Sequence, residues 1–371
     1  MIANIHEVLC LLELFGKFTC LWPGDSNSSK WKIILRDIRW TFTVVSIVLL
    51  MISLAFGIYH YRNDLTILIK TISEFTSLVE VLLNLLLCKI NRAKLEILIR
   101  RMKMHLETTD KYENKVIQSY IDRYKKFYSM VAMLYISTGI LFCLLPLFSK
   151  QELPADGWIP FSIEPIGIYC IVYFAQVYCI LQTALSFSFD YVIAILFCFT
   201  AARLDILGTK MGQVNCCELL VSCIKEHQEI IGFLEDTKAA VQVLLFKTNV
   251  TNACIVICAA FPLIYTQSVA VTGQFLSMLG AGCGHMYLIS WPSDDLKESS
   301  LRFAISVNNI QWIGKQQNMA SSVLIMMHRS QKPFLITMAG GLLPPLSFEY
   351  YSQFLTTVSS YFMGMRTMIE S

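Results

Sequence analysis

The residues of this sequence best suited to metal chemistry are cysteines and one histidine at short spacings. Cys217, Cys223 and His227 lie close together in the chain, and Cys254 and Cys258 form a second pair one helical turn apart. Thiolates and imidazoles are preferred zinc ligands, but a structural zinc site needs four of them at set spacings. Neither group completes such a set, so the sequence predicts no metal site.

The sequence also gives no basis for catalytic chemistry. It contains no glycine-rich phosphate loop, no nucleophile elbow and no pair of carboxylates at a separation suited to acid–base catalysis. We therefore expect no catalytic residues, no cofactor and no enzymatic activity. The formal net charge of +3 is also too small to indicate a nucleic-acid-binding protein.

The elements that would position any site are strongly apolar. The chain has 371 residues, of which 55% are hydrophobic and 15% charged, and its mean hydropathy is +0.54. Soluble domains carry about 25% charged residues. This chain has too little polar surface to coat a globule in water, so the composition predicts a membrane protein with several spans.

Seven segments are long enough to cross about 30 Å of hydrocarbon, which takes about 20 helical residues. The second segment contains three charged residues, and the last follows a Gly- and Pro-rich break that predicts a short half-helix before it. We expect one all-α domain over residues 1–371, built as a seven-transmembrane helical bundle. The predicted spans are residues 40–59, 65–88, 127–149, 166–189, 248–267, 272–291 and 347–365.

The basic residues predict the orientation of this bundle. With the amino terminus placed in the cytosol, 26 of the 30 Lys and Arg residues fall on the cytosolic side and three outside. This polarity is opposite to that of G-protein-coupled receptors. Residues 89–126, 190–247 and 294–332 become long cytosolic extensions whose apolar stripes predict amphipathic helices that pack together below the membrane.

Charged residues inside the apolar segments are candidate functional groups, because a lone charge at mid-bilayer costs at least about 2.5 kcal/mol. Lys70 and Glu74 are one turn apart and are expected to pair with each other. Glu80 faces either an aqueous cavity or the wet end of a tilted span. Asp190 is interpreted as a helix cap, and Glu349 as either a pore-vestibule group or a helix start.

Several short motifs resemble those of insect odorant receptors. The run Gln331–Gly341 (QKPFLITMAGG) and the later Ser359–Phe362 (SSYF) are similar to the signature that closes that family. Leu153–Phe161 (LPADGWIPF) resembles its second outer loop, and Gln176 the glutamine of the following span. Further similar stretches are Leu21–Pro23, Cys223–Gln228, Glu298-Ser299 and Trp312, so the resemblance covers nearly the whole chain.

This resemblance implies a ligand-tuning receptor subunit, because the chain has no room for the enlarged cytosolic loop of the family's shared co-receptor. Tuning subunits of that family join the co-receptor in a hetero-tetramer around a central pore. A small volatile organic ligand opens the pore, which passes cations without a G protein. The implied location is the plasma membrane of olfactory sensory neurons, where the multi-pass chain contacts membrane lipid.

The resemblance also places the pore lining near the carboxyl end. Gly364 stands where the family commonly has an aliphatic residue that narrows the pore, so Met368, one turn on, is the better gate candidate. Arg366 would oppose cation flow near the outer mouth unless it faces away. The implied pore residues are Tyr361, Gly364, Thr367 and Met368.

A volatile ligand has few polar groups, so its pocket needs apolar and aromatic walls with one or two hydrogen-bonding groups. We expect these walls in the outer halves of spans two, three, four and six. Tyr169 and Tyr173 are the sharpest candidates, since a phenol offers both ring area and a hydroxyl group. The expected ligand contacts are Ile72, Phe75, Thr76, Val79, Gly139, Phe142, Cys143, Tyr169, Tyr173, Phe275, Met278 and Leu279.

Two other functions remain open from the sequence. A gustatory-type receptor belongs to the same superfamily, although the expected Thr-Tyr…Gln-Phe ending is absent. A secondary transporter is a different class that also uses broken helices and midplane charges. The odd number of spans and the lack of a visible inverted repeat argue against the transporter.

Overall fold

The computed structural model describes residues 5–24, 28–148, 152–260, 262–265, 269–312 and 317–370. Within these ranges the regular structure is helical and contains no strand, which confirms the all-α fold class. The helices are α1 Ile5–Phe18, α2 Lys30–His60, α3 Leu65–Ile90, α4 Arg92–Thr108, α5 Lys111–Phe148, α6 Ile166–Leu185, α7 Phe187–Met211, α8 Cys217–Ala260, α9 Pro262–Tyr265, α10 Val269–Asn308, α11 Gln317–Ser330 and α12 Phe348–Glu370.

Three helices are much longer than a bilayer is thick. Helices α5, α8 and α10 have 38, 44 and 40 residues, which at 1.5 Å per residue is about 57 to 66 Å. The hydrocarbon core measures about 30 Å. These helices therefore extend well beyond any membrane, at the end of the bundle that carries most of the Lys and Arg residues. We call this end the basic end, and the opposite end, at residues 152–165, the loop end.

Five helical stretches among the described residues are long and apolar enough to cross a membrane. They are Lys30–His60, Ile67–Ile90, Lys111–Leu144, Ile166–Met211 and Cys217–Ala260. The predicted spans 272–291 and 347–365 lie in α10 and α12, which are not among these five. The protein is a multi-pass membrane protein, and the count of seven crossings stays a prediction.

The predicted spans lie largely within helices, with local differences, and their boundaries stay predictions. The segment 166–189 is interrupted at Ser186, where α6 gives way to α7. The half-helix expected before the last span was wrong, because only one 3-10 turn forms there, at Ala339–Gly341. Gly340 and Gly341 have φ angles of 68° and 95°, in the left-handed region that glycine adopts without a steric penalty. Residues 149, 261, 266 and 267, which belong to two of the predicted spans, lie outside the described residues.

Helix α7 forms the centre of the basic end. It is apolar around its circumference and buried along nearly its whole length, as expected of a helix surrounded by protein. Its largest interface is with α10, and it also packs against α5 and α8. The predicted cytosolic segment 190–247 therefore includes most of a helix that is buried along nearly its whole length.

A buried ion pair joins α3 to α8. The Nζ atom of Lys247 lies 2.8 Å from Oδ1 of Asn84 and 3.5 Å from Oε1 of Glu80. All three side chains are buried. Lys247 of the neighbouring helix thus neutralises Glu80. Neither of the two interpretations from the sequence included such a partner. Removing one partner of such a pair leaves an uncompensated charge in an apolar interior.

The substitution Lys247→Met is expected to lower the free energy of unfolding by about 3 to 5 kcal/mol, because Glu80 loses its cation. Thermal unfolding in detergent, followed by size-exclusion chromatography, measures the loss. The double variant Lys247→Met with Glu80→Gln should recover most of it, since no charge is then left unpaired. A double variant as unstable as the single one would contradict this explanation.

Candidate ligand-binding site

A cavity of about 120 Å³ lies between the helices near the loop end. Its walls come from α2, α3, α5, α6, α8 and α10, and Ala155 of the loop closes its end. Most of the lining is apolar. The apolar lining residues are Leu50, Leu54, Leu78, Val81, Gly139, Phe142, Ala155, Ile180, Ala184, Ile255, Met278, Ala281 and Gly282.

The volume limits what can bind. An apolar protein cavity of about 150 Å³ lined by Leu, Ile and Phe stays dry and accepts benzene. The cavity of this protein is slightly smaller in volume, so without expansion it suits a molecule about the size of one ring. A ligand of that size can be oriented by only a few polar contacts.

Small residues bring the helices around the cavity close together. A β-carbon on Gly139 would lie 2.7 Å from the Cβ of Ala184, and one on Gly282 would lie 2.6 Å from a methyl group of Val256. Distances this short require something to move, so α5 approaches α6, and α10 approaches α8, at points where only glycine fits. Close approach through small residues is typical of helix packing in membranes.

The loop that closes the cavity is held by hydrogen bonds to α2 and α6. The Trp158 N–H donates to the Ser53 carbonyl over 3.0 Å, and the Ser53 hydroxyl donates to the Trp158 carbonyl over 3.0 Å. The Ala155 N–H donates to Oε1 of Gln176 over 2.9 Å. Gln176 therefore fixes the loop, and residues 153–158 act as a lid on the cavity.

A charged cluster attaches the same lid to α3. The Nζ atom of Lys70 lies 2.8 Å from Oδ2 of Asp156 and 3.9 Å from Oε1 of Glu74. The Asp156 N–H donates to Oε2 of Glu74 over 3.0 Å. The expected Lys70–Glu74 contact is present, but the nearer partner of Lys70 is Asp156 in the lid.

The deep end of the cavity, away from the lid, is polar. The hydroxyl group of Tyr135 lies 2.8 Å from Nδ1 of His285, and Nε2 of His285 lies 3.2 Å from Oδ2 of Asp190. Asp190 stands in the first turn of α7 but is only 3% exposed, so it serves as a buried partner for His285. Glu80, paired with Lys247, also lines this end.

Three of the twelve residues expected to contact ligand line this cavity: Gly139, Phe142 and Met278. The expected residues of α3 are half-buried and do not line it, whereas Glu74, Ser77, Leu78 and Val81 do. Each of these four lining residues stands two positions after one of the expected residues, which is a rotation of about 200° around a helix. Helix α3 therefore turns its polar face inward. The expected residues on its other side are Ile72, Phe75, Thr76 and Val79.

The tyrosines of α6 lie outside the cavity lining. Their rings stack at 5.9 Å between centroids. The hydroxyl group of Tyr169 donates to the carbonyl of Glu152, and that of Tyr173 donates to the carbonyl of Cys143. These hydrogen bonds tie α6 to the lid region and to α5. As ligand contacts, Tyr169, Tyr173 and Cys143 stay predictions without a place in this cavity.

The remaining expected ligand residues belong to packing clusters on α10. Phe275 is fully buried with Ile255 and Ala259 of α8. Leu279 packs against the same cluster and against one that includes Phe354 of α12. Both lie beside Met278, which does reach the cavity. These two residues connect the cavity wall to the neighbouring helices.

Three of the four predicted pore residues, Tyr361, Gly364 and Thr367, lie on the exposed side of α12. Tyr361 is 56% exposed, Gly364 has open space where a β-carbon would stand, and the Thr367 hydroxyl donates to the Gly364 carbonyl over 2.9 Å. The side chains of Arg366 and Met368 lie outside the described residues. Helix α12 is held by α8 and α10 on its other side.

The cavity includes residues that the sequence reasoning did not select, among them Tyr135, Asn252 and His285. His285 could have been noticed, since it is a titratable residue within a long segment otherwise free of charge. His227, by contrast, stacks on Phe303 with ring centroids 4.6 Å apart and serves packing. Among the described residues, no group of three His, Cys, Asp or Glu side chains could hold a metal ion.

The sequence of this chain matches a known protein family and several of its members. The family model described as "7tm Odorant receptor" matches residues 64–357. Odorant receptor Or2 of Anopheles gambiae is 22% identical over 307 residues, covering 75% of this chain and 78% of the relative. Putative odorant receptor 59c of Drosophila melanogaster is 22% identical over 236 residues, covering 58% of this chain and only 56% of the relative.

Solved structures share the fold over nearly the full chain. The insect olfactory receptor OR5 from Machilis hrabei matches with a TM-score of 0.80 at 14% identity, covering 97% of this chain and 98% of that one. The same receptor in complex with eugenol matches with a TM-score of 0.82 at 14% identity, covering 98% and 99%. The arrangement of helices described above is thus similar to that of an olfactory receptor.

Proposed function

This chain belongs to the insect odorant receptor family, and we propose that it is a ligand-tuning subunit of a non-selective cation channel. In this proposal the chain joins a shared co-receptor in a hetero-tetramer in the plasma membrane of olfactory sensory neurons. A small volatile molecule entering the cavity opens the channel. The chain is not an enzyme.

The observation that carries this proposal is the apolar cavity under the lid. It is a ring-sized space with a few polar groups at its two ends, which is how sites for small apolar ligands are built. The complex of the Machilis hrabei receptor with eugenol supports a small odorant as the occupant. Of the ligand contacts expected from the sequence, we retain Gly139, Phe142 and Met278 as contacts in this cavity.

Helices α8 and α10 connect the cavity to α12. Asn252 of α8 and Gly282 of α10 line the cavity, and the Asn252 amide donates to the Gly282 carbonyl over 2.9 Å. On the far side, Tyr287 of α10 stacks on Phe348 of α12, and Asn249 of α8 donates to the hydroxyl group of Tyr350. Any ligand-induced shift in the α8–α10 pair therefore reaches the helix proposed to line the pore.

Channel opening is then a shift between two populations. A ligand favours the open state only to the extent that it binds that state more tightly. We propose that the open arrangement of α8 and α10 accommodates the ligand better and lets the α12 helices of the four subunits move apart. The exposed residues Tyr361, Gly364 and Thr367, together with Met368, form the proposed pore lining.

Co-expression with the co-receptor should produce a ligand-evoked cation current that persists when G proteins are blocked. Whole-cell recording with a panel of small odorants measures this current, with each subunit expressed alone as the control. Uptake of a substrate without such a current would favour a secondary transporter instead. Loss of the current under G-protein blockade would overturn the channel proposal.

The cavity location can be tested by comparing two aromatic residues. Phe142→Ala removes a wall of the cavity and should raise the half-maximal ligand concentration by about tenfold or more, since an apolar contact of this size is worth about 1.5 to 3 kcal/mol. Tyr173→Ala removes an aromatic ring that helps α6 pack against α5 outside the cavity. This variant should change the half-maximal ligand concentration by less than about threefold. A larger effect at Tyr173 would place the ligand near the tyrosine pair.

The proposed orientation puts the amino terminus in the cytosol, because nearly all basic residues then lie on the cytosolic side. An epitope tag fused after Ser371 should bind antibody on intact cells. A tag fused before Met1 should bind antibody only after permeabilisation. The reverse pattern would overturn the orientation and, with it, the assignment of the lid to the extracellular side.

A further inference from the structure

One oxygen atom in the cavity lacks a hydrogen-bond donor. Glu74 is only 7% exposed and lines the cavity just beneath the lid. Its Oε2 accepts the N–H of Asp156, whereas its Oε1 is buried and accepts no hydrogen bond among the described residues. Leaving a buried carboxylate oxygen unsatisfied is costly, more so than for a neutral group.

The cluster around this oxygen is also short of positive charge. Lys70 lies beside two carboxyl groups. Its Nζ atom is 2.8 Å from Oδ2 of Asp156 but 3.9 Å from Oε1 of Glu74. The longer distance exceeds that of a hydrogen bond. With one cation between two carboxylates, the cluster carries a formal charge of −1 when all three groups are ionised. A second cation placed at Glu74 Oε1 would neutralise it.

We infer that the cavity binds a small primary or secondary amine whose ammonium group donates to Oε1 of Glu74. This inference rests on the proposed function and names the chemical class of the ligand. A charge-assisted hydrogen bond to a buried carboxylate is among the strongest polar contacts in proteins. The apolar body of the amine fills the space beneath, between Leu54 of α2 and Leu78 of α3, and against Phe142 and Met278.

The other acidic groups near the cavity do not compete for this ammonium group. Glu80 is paired with Lys247, and Asp190 lies 3.2 Å from His285. Both pairs are at the deep end of the cavity, away from the lid. The amine therefore binds with its charged group at the lid and its apolar end pointing into the bundle.

A matched series of benzylamine, benzyl alcohol and ethylbenzene separates charge from shape, because the three molecules have the same number of non-hydrogen atoms. On the channel co-expressed with the co-receptor, benzylamine should open the wild-type channel at the lowest concentration. Glu74→Gln removes the charge and keeps an amide oxygen that can still accept the Asp156 N–H. In this variant the half-maximal concentration of benzylamine should rise roughly tenfold to a hundredfold, as expected for a hydrogen bond to a charged group.

The response to benzyl alcohol should change by less than about threefold in Glu74→Gln, because a neutral donor bonds to an amide oxygen almost as well. Glu164→Gln alters an exposed carboxylate of the same loop and should leave all three responses unchanged. If Glu74→Gln does not reach the cell surface, Asp156→Asn removes the other carboxylate charge and should weaken the benzylamine response selectively.

Three results would overturn the inference while leaving the proposed function intact. They are a wild-type channel that responds to neutral odorants but not to benzylamine, an unchanged benzylamine response in Glu74→Gln, and an equal loss of all three responses in that variant. The last result would mean that Glu74 only holds the lid. A channel that opens to no molecule of the series or of the wider odorant panel would overturn both the inference and the proposed function.

Discussion

Charged side chains inside this bundle are paired across helices, and these pairs constrain how the helices pack. Lys247 of α8 meets Glu80 of α3, and His285 of α10 meets Asp190 of α7. An uncompensated charge in such an interior costs several kcal/mol, so a rotation of α3, α8 or α10 that separated a pair would be strongly unfavourable. The pairs therefore favour one rotation for each of the helices α3, α7, α8 and α10.

The rotation of α3 determines where the cavity forms. With its polar residues facing inward, α3 places Glu74 under the lid and Glu80 at the deep end, and the apolar Leu78 lies between them. The glycines at positions 139 and 282 let the surrounding helices approach closely without filling the space. The cavity is thus apolar along its walls and polar at both ends, and a bound molecule has a defined direction within it.

Helices α8 and α10 have different neighbours along their length. Near the loop end, α8 and α10 line the cavity, and along one side they contact α12. At the basic end, α10 packs against α7, which is buried along nearly its whole length. The basic end has a large buried core, whereas α12 has an exposed face. Burial is thus greatest at the basic end, whereas the cavity lies near the loop end.

The apolar composition of the sequence predicted the all-α fold class correctly. A chain so apolar must satisfy its backbone polar groups within helices when it enters lipid, and the segments that hydropathy selects lie largely within helices. Helix ends were harder to predict. Continuous helices run through the boundary between apolar and amphipathic segments in α5, α8 and α10, because backbone hydrogen bonding does not depend on whether lipid or protein surrounds the side chains.

The sequence by itself determined that this protein is a helical membrane bundle of the odorant receptor type. It also predicted Gly139, Phe142 and Met278 as ligand contacts, and these three residues line the same cavity. Only the tertiary structure decided which face of α3 lines the cavity and which side chains lie beside Glu80 and Asp190. The physical reason is that hydropathy measures how apolar a residue is, whereas the direction of a side chain depends on partners distant in sequence. Four complete helices, α4 to α7, separate Glu80 from Lys247 along the chain, and only folding brings their charges together.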